Sequence, residues 1–352
     1  MTSGAAILGR PILKFHNDEP VLVDALKRSA LVREVGDSIA ECDPPQVLGV
    51  HGDWGLGKTS FMHQVQFYLT GKCPSFNEAE LNEAKKVFED AGQHSNGVCV
   101  VWFEAWRYQH EAAPVVALLQ EMRAQLSWHL KFVKETKKLS EVAVRTALLS
   151  LDSISKLIGF ELGKVTATAQ SEGEKWEKNH LADALPSNVL REQLAAAIAG
   201  LLKPITTLKE GARVAVMIDD LDRCDPVGAY KLLEGLKVFL TLPNCVFLLG
   251  MNEQIMEDAI GKQISISDKH SDPDRVRSER ASAYLEKLCQ NMWRLPAVAE
   301  PKQYLLALLT ESLVMSIEFL DKAIGEHRCL PPNPRRLKGL ANLIQRLSEK
   351  SR

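Results

Sequence analysis

One ten-residue stretch, HGDWGLGKTS at His51–Ser60, constrains the fold of this chain more than any other. From Gly52 onward it matches the phosphate-binding pattern G-x-x-x-x-G-K-[ST] without a mismatch. An apolar run, Val47–Val50, precedes it, and a segment of helical character follows from Phe61. The pattern therefore stands in the strand, loop, helix order that phosphate binding requires, which favours a phosphate site over a chance glycine-rich turn.

Each residue type in this loop has a task in holding an anion. The three glycines are expected to adopt backbone conformations closed to other residues, so that successive N–H groups turn toward phosphate oxygens. A helix that begins near Lys58 adds its positive end, the Lys58 ammonium reaches the terminal phosphates, and the Thr59 hydroxyl ligates magnesium. The predicted cofactor-binding residues are Gly52, Asp53, Trp54, Gly55, Leu56, Gly57, Lys58, Thr59 and Ser60.

A second motif, Val214–Cys224, ends a β-branched run with the acids Asp219 and Asp220. This is the Walker B form, in which Asp219 would hold magnesium through a water and Asp220 would orient or deprotonate the attacking water. Most NTPases of this class carry Glu at the second position, so Asp220 is shorter by one methylene group. An acid pair after a strand also occurs in helix caps, and it indicates a nucleotide site only together with the loop upstream.

Two other apolar runs, 98–103 and 245–250, are typical of strands buried on both faces. The first leads into Glu104–Tyr108, where an open α/β sheet places its ligand crevice. The tryptophans of this region, Trp102 and Trp106, are also explained by aromatic core packing. Asn252 follows the second run, where its side chain would bond the γ-phosphate or the attacking water, or else cap the next helix. Residues 284–296 indicate a helix end followed by a fifth strand.

These elements predict an α/β core at residues 1–296, with a mainly parallel five-stranded sheet flanked by helices, and a C-terminal helical lid at residues 297–352. A helical insert at about 113–188 separates the two motifs. The lid contains a helix start at Asn333 and Pro334, where Arg335 and Arg336 either lean toward the nucleotide or stay solvated. The segment before the loop, residues 1–46, would pack over the nucleotide base or cover the edge of the sheet.

Composition narrows the functional classes. A net charge of -2 and a hydrophobic fraction of 45% describe an ordinary globular chain without a global basic surface for nucleic acid. Seven cysteines without C-x-x-C spacing favour a reduced, cytoplasmic protein without structural zinc. We find neither a signal peptide nor an apolar window of about eighteen residues that would span a membrane. Four insert lysines could contact nucleic acid or form a solvated helix face: Lys131, Lys134, Lys137 and Lys138.

Five blocks of the chain together resemble the KAP family of P-loop NTPases: residues 52–59, 103–108, 219–224, 284–287 and 333–338. The resemblance implies an additional-strand core, in which the strand after the Walker B strand is inserted between it and the phosphate-loop strand. It also implies ATP and Mg²⁺. Many members carry transmembrane helices between the two Walker motifs, where this chain has its amphipathic insert, and some bacterial relatives act in exclusion of, or defence against, phage.

Three functions are compatible with these residues. The leading hypothesis is a magnesium-dependent ATPase that works as a conformational switch or oligomeric motor, so that a homo-oligomer is expected. The second is a nucleotide-gated scaffold that assembles with a separately encoded effector and turns over little ATP. The third, a nucleic-acid-stimulated remodelling ATPase, rests on the insert lysines alone.

Residue roles follow from the leading hypothesis. The predicted catalytic residues are Asp220, Lys58, Asn252, Arg335 and Arg336, and the predicted metal ligands are Thr59 and Asp219. An arginine that acts on a neighbouring subunit's nucleotide would be one of four: Arg223, Arg275, Arg277 or Arg280. Each of these four is also compatible with simple surface solvation.

Overall fold

The computed structural model describes residues 15–110, 211–239, 242–264, 272–309 and 330–350, with some helical residues within 117–126, 195–202 and 321–325. Most of the predicted helical insert lies outside the described residues. The same holds for the four insert lysines.

Five strands form one sheet in which every neighbouring pair is parallel, with the order β2-β3-β4-β1-β5. The strands are β1 (Gln46–His51), β2 (Val98–Glu104), β3 (Arg213–Asp219), β4 (Cys245–Met251) and β5 (Asn291–Arg294). The expected five-stranded parallel sheet is confirmed. The strand that follows the Walker B strand in the chain, β4, lies between β3 and β1, as the additional-strand arrangement requires.

The described helices are α1 (Ser29–Glu41), α2 (Lys58–Thr70), α3 (Glu78–Lys85), α4 (Pro226–Phe239), α5 (Glu253–Gly261), α6 (Pro273–Leu288), α7 (Pro301–Leu308) and α8 (Pro334–Lys350). Short 3₁₀ turns, Ala105–Tyr108 and Leu221–Arg223, follow β2 and β3. Among the described helices, none is both long and apolar enough to cross a membrane.

The inner strands β1, β3 and β4 are buried on both faces, which is why they have continuous apolar sequences rather than alternating ones. On β4, Phe247 and Leu249 belong to the cluster that includes α4, α5 and α6. Their neighbours Val246 and Leu248 belong to the opposite cluster, with α1 and α2. All seven residues of β4 are buried. Because the strands are parallel, their carboxyl ends meet at one edge, and both Walker motifs lie at that edge.

The C-terminal helices α7 and α8 pack together through a small apolar cluster of Leu305, Leu309, Leu337 and Ala341. Helix α8 begins at Pro334, as the sequence predicted. The Asn333 side chain caps it by accepting a hydrogen bond from the Arg336 N–H at 3.2 Å. The boundary at residue 296 between core and lid remains a prediction.

Candidate functional site

The loop between β1 and α2 has a hydrogen-bond donor for each of its carbonyl groups. Each carbonyl from Gly52 to Leu56 accepts a hydrogen bond, and the donors in order are Lys58 Nζ at 2.7 Å, Leu56 N at 3.1 Å, Asn333 Nδ2 at 2.9 Å, Arg335 N at 3.4 Å and Arg28 Nη1 at 2.7 Å. By contrast, no acceptor among the described residues binds the N–H groups of Gly57, Lys58, Thr59 and Ser60. A row of unpaired N–H groups at a helix N-terminus is an anion-binding site.

Two of the three loop glycines are required by their backbone conformation. Gly55 and Gly57 have φ of 82° and 84°, in the left-handed region that favours glycine. Gly52 does not lie in that region, contrary to the expectation for all three glycines. A Cβ on Gly52 would instead lie 3.3 Å from Lys58 Cγ, so close packing is the reason for a glycine there.

Lys58 forms a buried ion pair with an acid that the sequence analysis did not assign to the site. Its ammonium lies 3.0 Å from Asp222 Oδ2, and the two side chains are 7% and 1% exposed. The Trp54 indole donates to the same oxygen at 2.9 Å. Asp222 is the third acid of the DDLD sequence, and the 3₁₀ turn at Leu221–Arg223 brings it back toward the loop. Its other oxygen, Oδ1, is buried and has no hydrogen-bond partner within the described part of the chain.

Asp219 ends β3 as a fully buried carboxylate that lacks its own partners. Neither of its oxygens forms a hydrogen bond of normal geometry with any residue that the structure describes, although the Thr59 hydroxyl is close enough to favour the ionised form. Burial, followed by repulsion from Asp220, raises the pKa of this carboxyl. Burying unpaired carboxylate oxygens is costly, and a cation or hydrogen-bond donor from a ligand would offset that cost. One hydroxyl and one carboxylate are the oxygen donors that Mg²⁺ takes alongside substrate phosphates.

Asp220 is held by a neighbouring arginine. Its Oδ1 lies 2.8 Å from Arg223 Nε, and the two side chains are 11% and 47% exposed. Burial raises the pKa of Asp220, while Arg223 opposes that shift. Asp220 has φ of 58°, a left-handed conformation that aspartate tolerates better than most residues. The second acid therefore lies at the site with its carboxylate already paired.

The two motifs open onto a cavity of about 840 Å³. Its lining includes the loop residues Asp53–Gly55 and Gly57–Ser60, the three acids of β3 and its turn, and the N-terminal residues 18–21 and 23–26. The N-terminal segment is fixed to α2, because Ser60 Oγ accepts from the Val21 N–H at 3.0 Å and Gln64 Nε2 donates to the Val23 carbonyl at 3.2 Å. Residues 18–21 and 23–26 thus lie beside the loop, whereas α1 packs against α2. Packing of this segment over a nucleotide base remains a prediction.

Asn252 acts as a helix cap. Its Oδ1 accepts from the Ile255 N–H at 3.2 Å at the start of α5, while its Nδ2 donates to Asp53 Oδ1 at 2.9 Å. It is buried and does not line the cavity. The two tryptophans of this region differ. Trp102, within β2, packs against the core and stacks on buried His63 with ring centroids 3.9 Å apart, whereas Trp106 is 41% exposed and lines the cavity.

The arginines divide into those at the cavity and those away from it. Arg335 lines the cavity and pairs with Asp18 at 2.6 Å, whereas the adjacent Arg336 is exposed and lies outside the lining. Arg223 also lines the cavity. The three predicted trans arginines of α6, Arg275, Arg277 and Arg280, lie outside it.

A neutral residue at position 222 is expected to strengthen nucleotide binding and weaken the nucleotide-free fold. Asp222→Asn removes the anion that holds Lys58 and that faces the phosphates. We expect ADP to bind about tenfold tighter, and the unfolding free energy without nucleotide to fall by about 3 kcal/mol because Lys58 is left buried without its counter-ion. Calorimetric titration and urea unfolding measure the two effects.

The control for that variant is Asp90→Asn, which breaks the half-exposed Arg33–Asp90 pair outside the cavity lining. Its ADP affinity should equal that of the wild type. An Asp222→Asn protein that binds ADP more weakly than the wild type would contradict a restraining role for this acid.

Two comparisons with known proteins bear on the site. A family model described as the KAP family P-loop domain matches residues 28–322, which is most of the chain and includes both motifs. No curated protein sequence matches the chain.

Proposed function

The chain belongs to the KAP family of P-loop domains, and on that premise we propose that it binds and hydrolyses ATP with Mg²⁺ to drive a conformational or oligomeric switch. The observation that carries the proposal is the loop itself, whose carbonyls all have hydrogen-bond donors within the protein while its unpaired N–H groups form an anion cradle. The adjoining cavity of about 840 Å³ falls within the usual range of small-molecule sites. The lining of this cavity includes the apolar residues Val21, Val23 and Leu26 as well as the loop, which suits a ligand with a base attached to a phosphate chain.

Binding requires an exchange of partners at Lys58. The ammonium leaves Asp222 for the β- and γ-phosphates, while the N–H groups of Gly57 to Ser60 bind the same phosphate chain. Trp54 keeps one hydrogen bond to Asp222 in this exchange, because its indole donates to the oxygen that Lys58 releases. The Lys58–Asp222 pair thus balances a buried ammonium until phosphates replace the carboxylate.

Thr59 and Asp219 would hold the metal, and the two unpaired oxygens of Asp219 fit that role. When bound, Mg²⁺ would neutralise charge on the β- and γ-phosphates. Asp220 would orient the attacking water, since it lines the cavity next to Asp219. For it to do so, its carboxylate must exchange the Arg223 contact for the water, which makes Arg223 a group that moves during turnover.

The lid would follow the state of the loop. Asn333 donates to the Trp54 carbonyl and the Arg335 N–H donates to the Gly55 carbonyl, so the first turn of α8 rests on the tip of the loop. A shift of that tip when phosphates bind would move α8, and Arg335 at the cavity would report the γ-phosphate to the lid. Arg336 is less suited to this role because it lies outside the lining.

One observation favours the second function, a nucleotide-gated scaffold that binds a separately encoded effector. The water-orienting acid, Asp220, is occupied by Arg223 and is one methylene shorter than the usual glutamate. Both features are compatible with slow turnover, in which ATP binding rather than hydrolysis sets the assembled state. The antiphage role that the resemblance implied is the proposed biological setting for either function.

Light scattering together with phosphate release tests the proposal. We expect the purified protein to release phosphate from ATP only with Mg²⁺, and its molar mass to rise with ATP and stay high in Asp220→Asn. Constant mass in every state would remove the oligomeric switch and leave the lid as the moving part. Absence of both ATP binding and phosphate release would overturn the proposal, and phage plaque counts with wild type and Lys58→Ala test its setting.

A further inference from the structure

Arg28 is a buried cation at the edge of the cavity that the proposed chemistry does not use. It is 5% exposed and immediately precedes α1. Its guanidinium donates to the Leu56 carbonyl at 2.7 Å and to the Pro296 carbonyl. No carboxylate among the described residues forms an ion pair with it, because the Asp24 oxygens instead accept from the backbone N–H groups of Arg28 and Ser29, both at 2.7 Å.

Such an arrangement is expensive for the fold. Burial lowers the pKa of the Arg28 guanidinium, with Asp24 opposing the shift. A leucine or methionine could fill the same volume without desolvating a charge. The five fixed N–H donors of arginine, however, can bind two carbonyls from different segments at once, which a shorter or more flexible cation cannot.

We infer that Arg28 is a positioning residue that orients the Leu56–Gly57 peptide so that its N–H faces the phosphates. A trans peptide is planar, and its carbonyl and N–H point in opposite directions. By fixing the Leu56 carbonyl outward, Arg28 directs the Gly57 N–H inward. Gly57 itself does little to fix this peptide. It has no side chain, and even an added Cβ would meet nothing closer than 3.7 Å, so a glycine here has wide backbone freedom.

The second carbonyl extends this role beyond the loop. Pro296 follows β5 and leads to α7 at Pro301, so one guanidinium joins the N-terminal segment, the phosphate loop and the connection to the C-terminal helices. Arg28 therefore fixes the position of the phosphate loop relative to the connection between β5 and α7.

The chain contains a matched control at the other end of α1. Arg213, 8% exposed, likewise pairs with no carboxylate among the described residues; it donates to the carbonyls of Gly211 at 3.0 Å, Ile39 at 3.3 Å and Cys42, and to the Cys42 Sγ at 3.7 Å. It lies at the first residue of β3, at the sheet edge opposite the motifs. Arg28→Gln and Arg213→Gln therefore remove the same group from similar surroundings, and only the first borders the cavity.

The inference rests on the proposed function, so wild-type ADP binding is the first measurement. ADP and inorganic tripolyphosphate are then titrated into both variants, with unfolding curves recorded without ligand. We expect Arg28→Gln to bind both ligands about 30-fold more weakly, since an N–H bond to a charged group is lost or misdirected. Arg213→Gln should stay within about twofold of the wild type at a similar loss of stability, and Arg28→Lys, which retains one donor, should fall between.

Each other result overturns the inference. If Arg28→Gln binds ADP as the wild type does, or if Arg213→Gln weakens ADP binding equally, Arg28 has only a structural role. If the variant binds ADP more weakly but binds tripolyphosphate as the wild type does, Arg28 supports binding of the nucleoside rather than of the phosphates. If Arg28→Gln does not fold, Arg28→Lys decides by the same criteria. A wild type that binds neither ligand would instead overturn the proposed function, and with it this inference.

Discussion

Lys58→Met is expected to weaken ADP and ATP binding about 10²- to 10³-fold and to stop phosphate release. The ammonium supplies the only side-chain cation in the loop and makes charge-assisted bonds to the terminal phosphates. Calorimetric titration gives the affinity, and phosphate release gives the turnover. Methionine keeps the length of the buried side chain, so the loss reports the charge and its donors rather than an empty volume.

This variant has a second effect that must be separated from the first. Removing Lys58 leaves Asp222 buried with the Trp54 indole as its remaining partner, and an unpaired buried charge costs about 3–5 kcal/mol of stability. The double variant Lys58→Met/Asp222→Asn removes both charges. We expect it to recover most of the lost stability while still failing to bind nucleotide, and recovery of binding as well would contradict a direct role for Lys58.

Asp220→Asn is expected to lower kcat about 10²- to 10⁴-fold while the affinity for ATP stays within about threefold of the wild type. Asparagine keeps the shape and can still hold a water, but it cannot accept its proton, and general-base contributions have this size. Single-turnover phosphate release and ATP titration separate the two quantities.

The partner variant for Asp220 is Arg223→Gln. It breaks the 2.8 Å contact that occupies the acid and removes no group assigned to the metal or the phosphates. If Asp220 works by exchanging Arg223 for water, turnover in this variant should match or exceed that of the wild type. An unchanged kcat in Asp220→Asn would exclude its role as a base and favour the scaffold.

The inner strands β1, β3 and β4 were predictable because they are buried on both faces. A strand such as β4, with all seven residues buried, has an uninterrupted apolar sequence. Such a sequence is recognised without knowing which strands lie beside it. The phosphate loop was predictable for a related reason, since Gly55 and Gly57 need left-handed backbone that other residues rarely adopt. In both cases, local structure alone restricts the residue type.

The partners of the loop were not predictable in this way. Asp222, Arg28 and Asn333 meet the loop across separations of 164, 28 and 279 residues, and each has an ordinary local explanation as a surface acid, a helix-flanking cation or a helix cap. Only folding brings Arg28 and Asn333 to the loop carbonyls and Asp222 to the Lys58 ammonium. For Asp222 one signal existed, its place as the third acid of the DDLD sequence.

The long separation between Asn333 and the loop has a consequence for biosynthesis. The carbonyls of Trp54 and Gly55 obtain their donors from residues 333 and 335, which a ribosome adds long after the loop itself has been made. A nascent chain that stops before residue 333 has both complete Walker sequences but lacks the hydrogen bonds to these two carbonyls. We therefore expect the chain to bind nucleotide only after the first turn of α8 has left the ribosome.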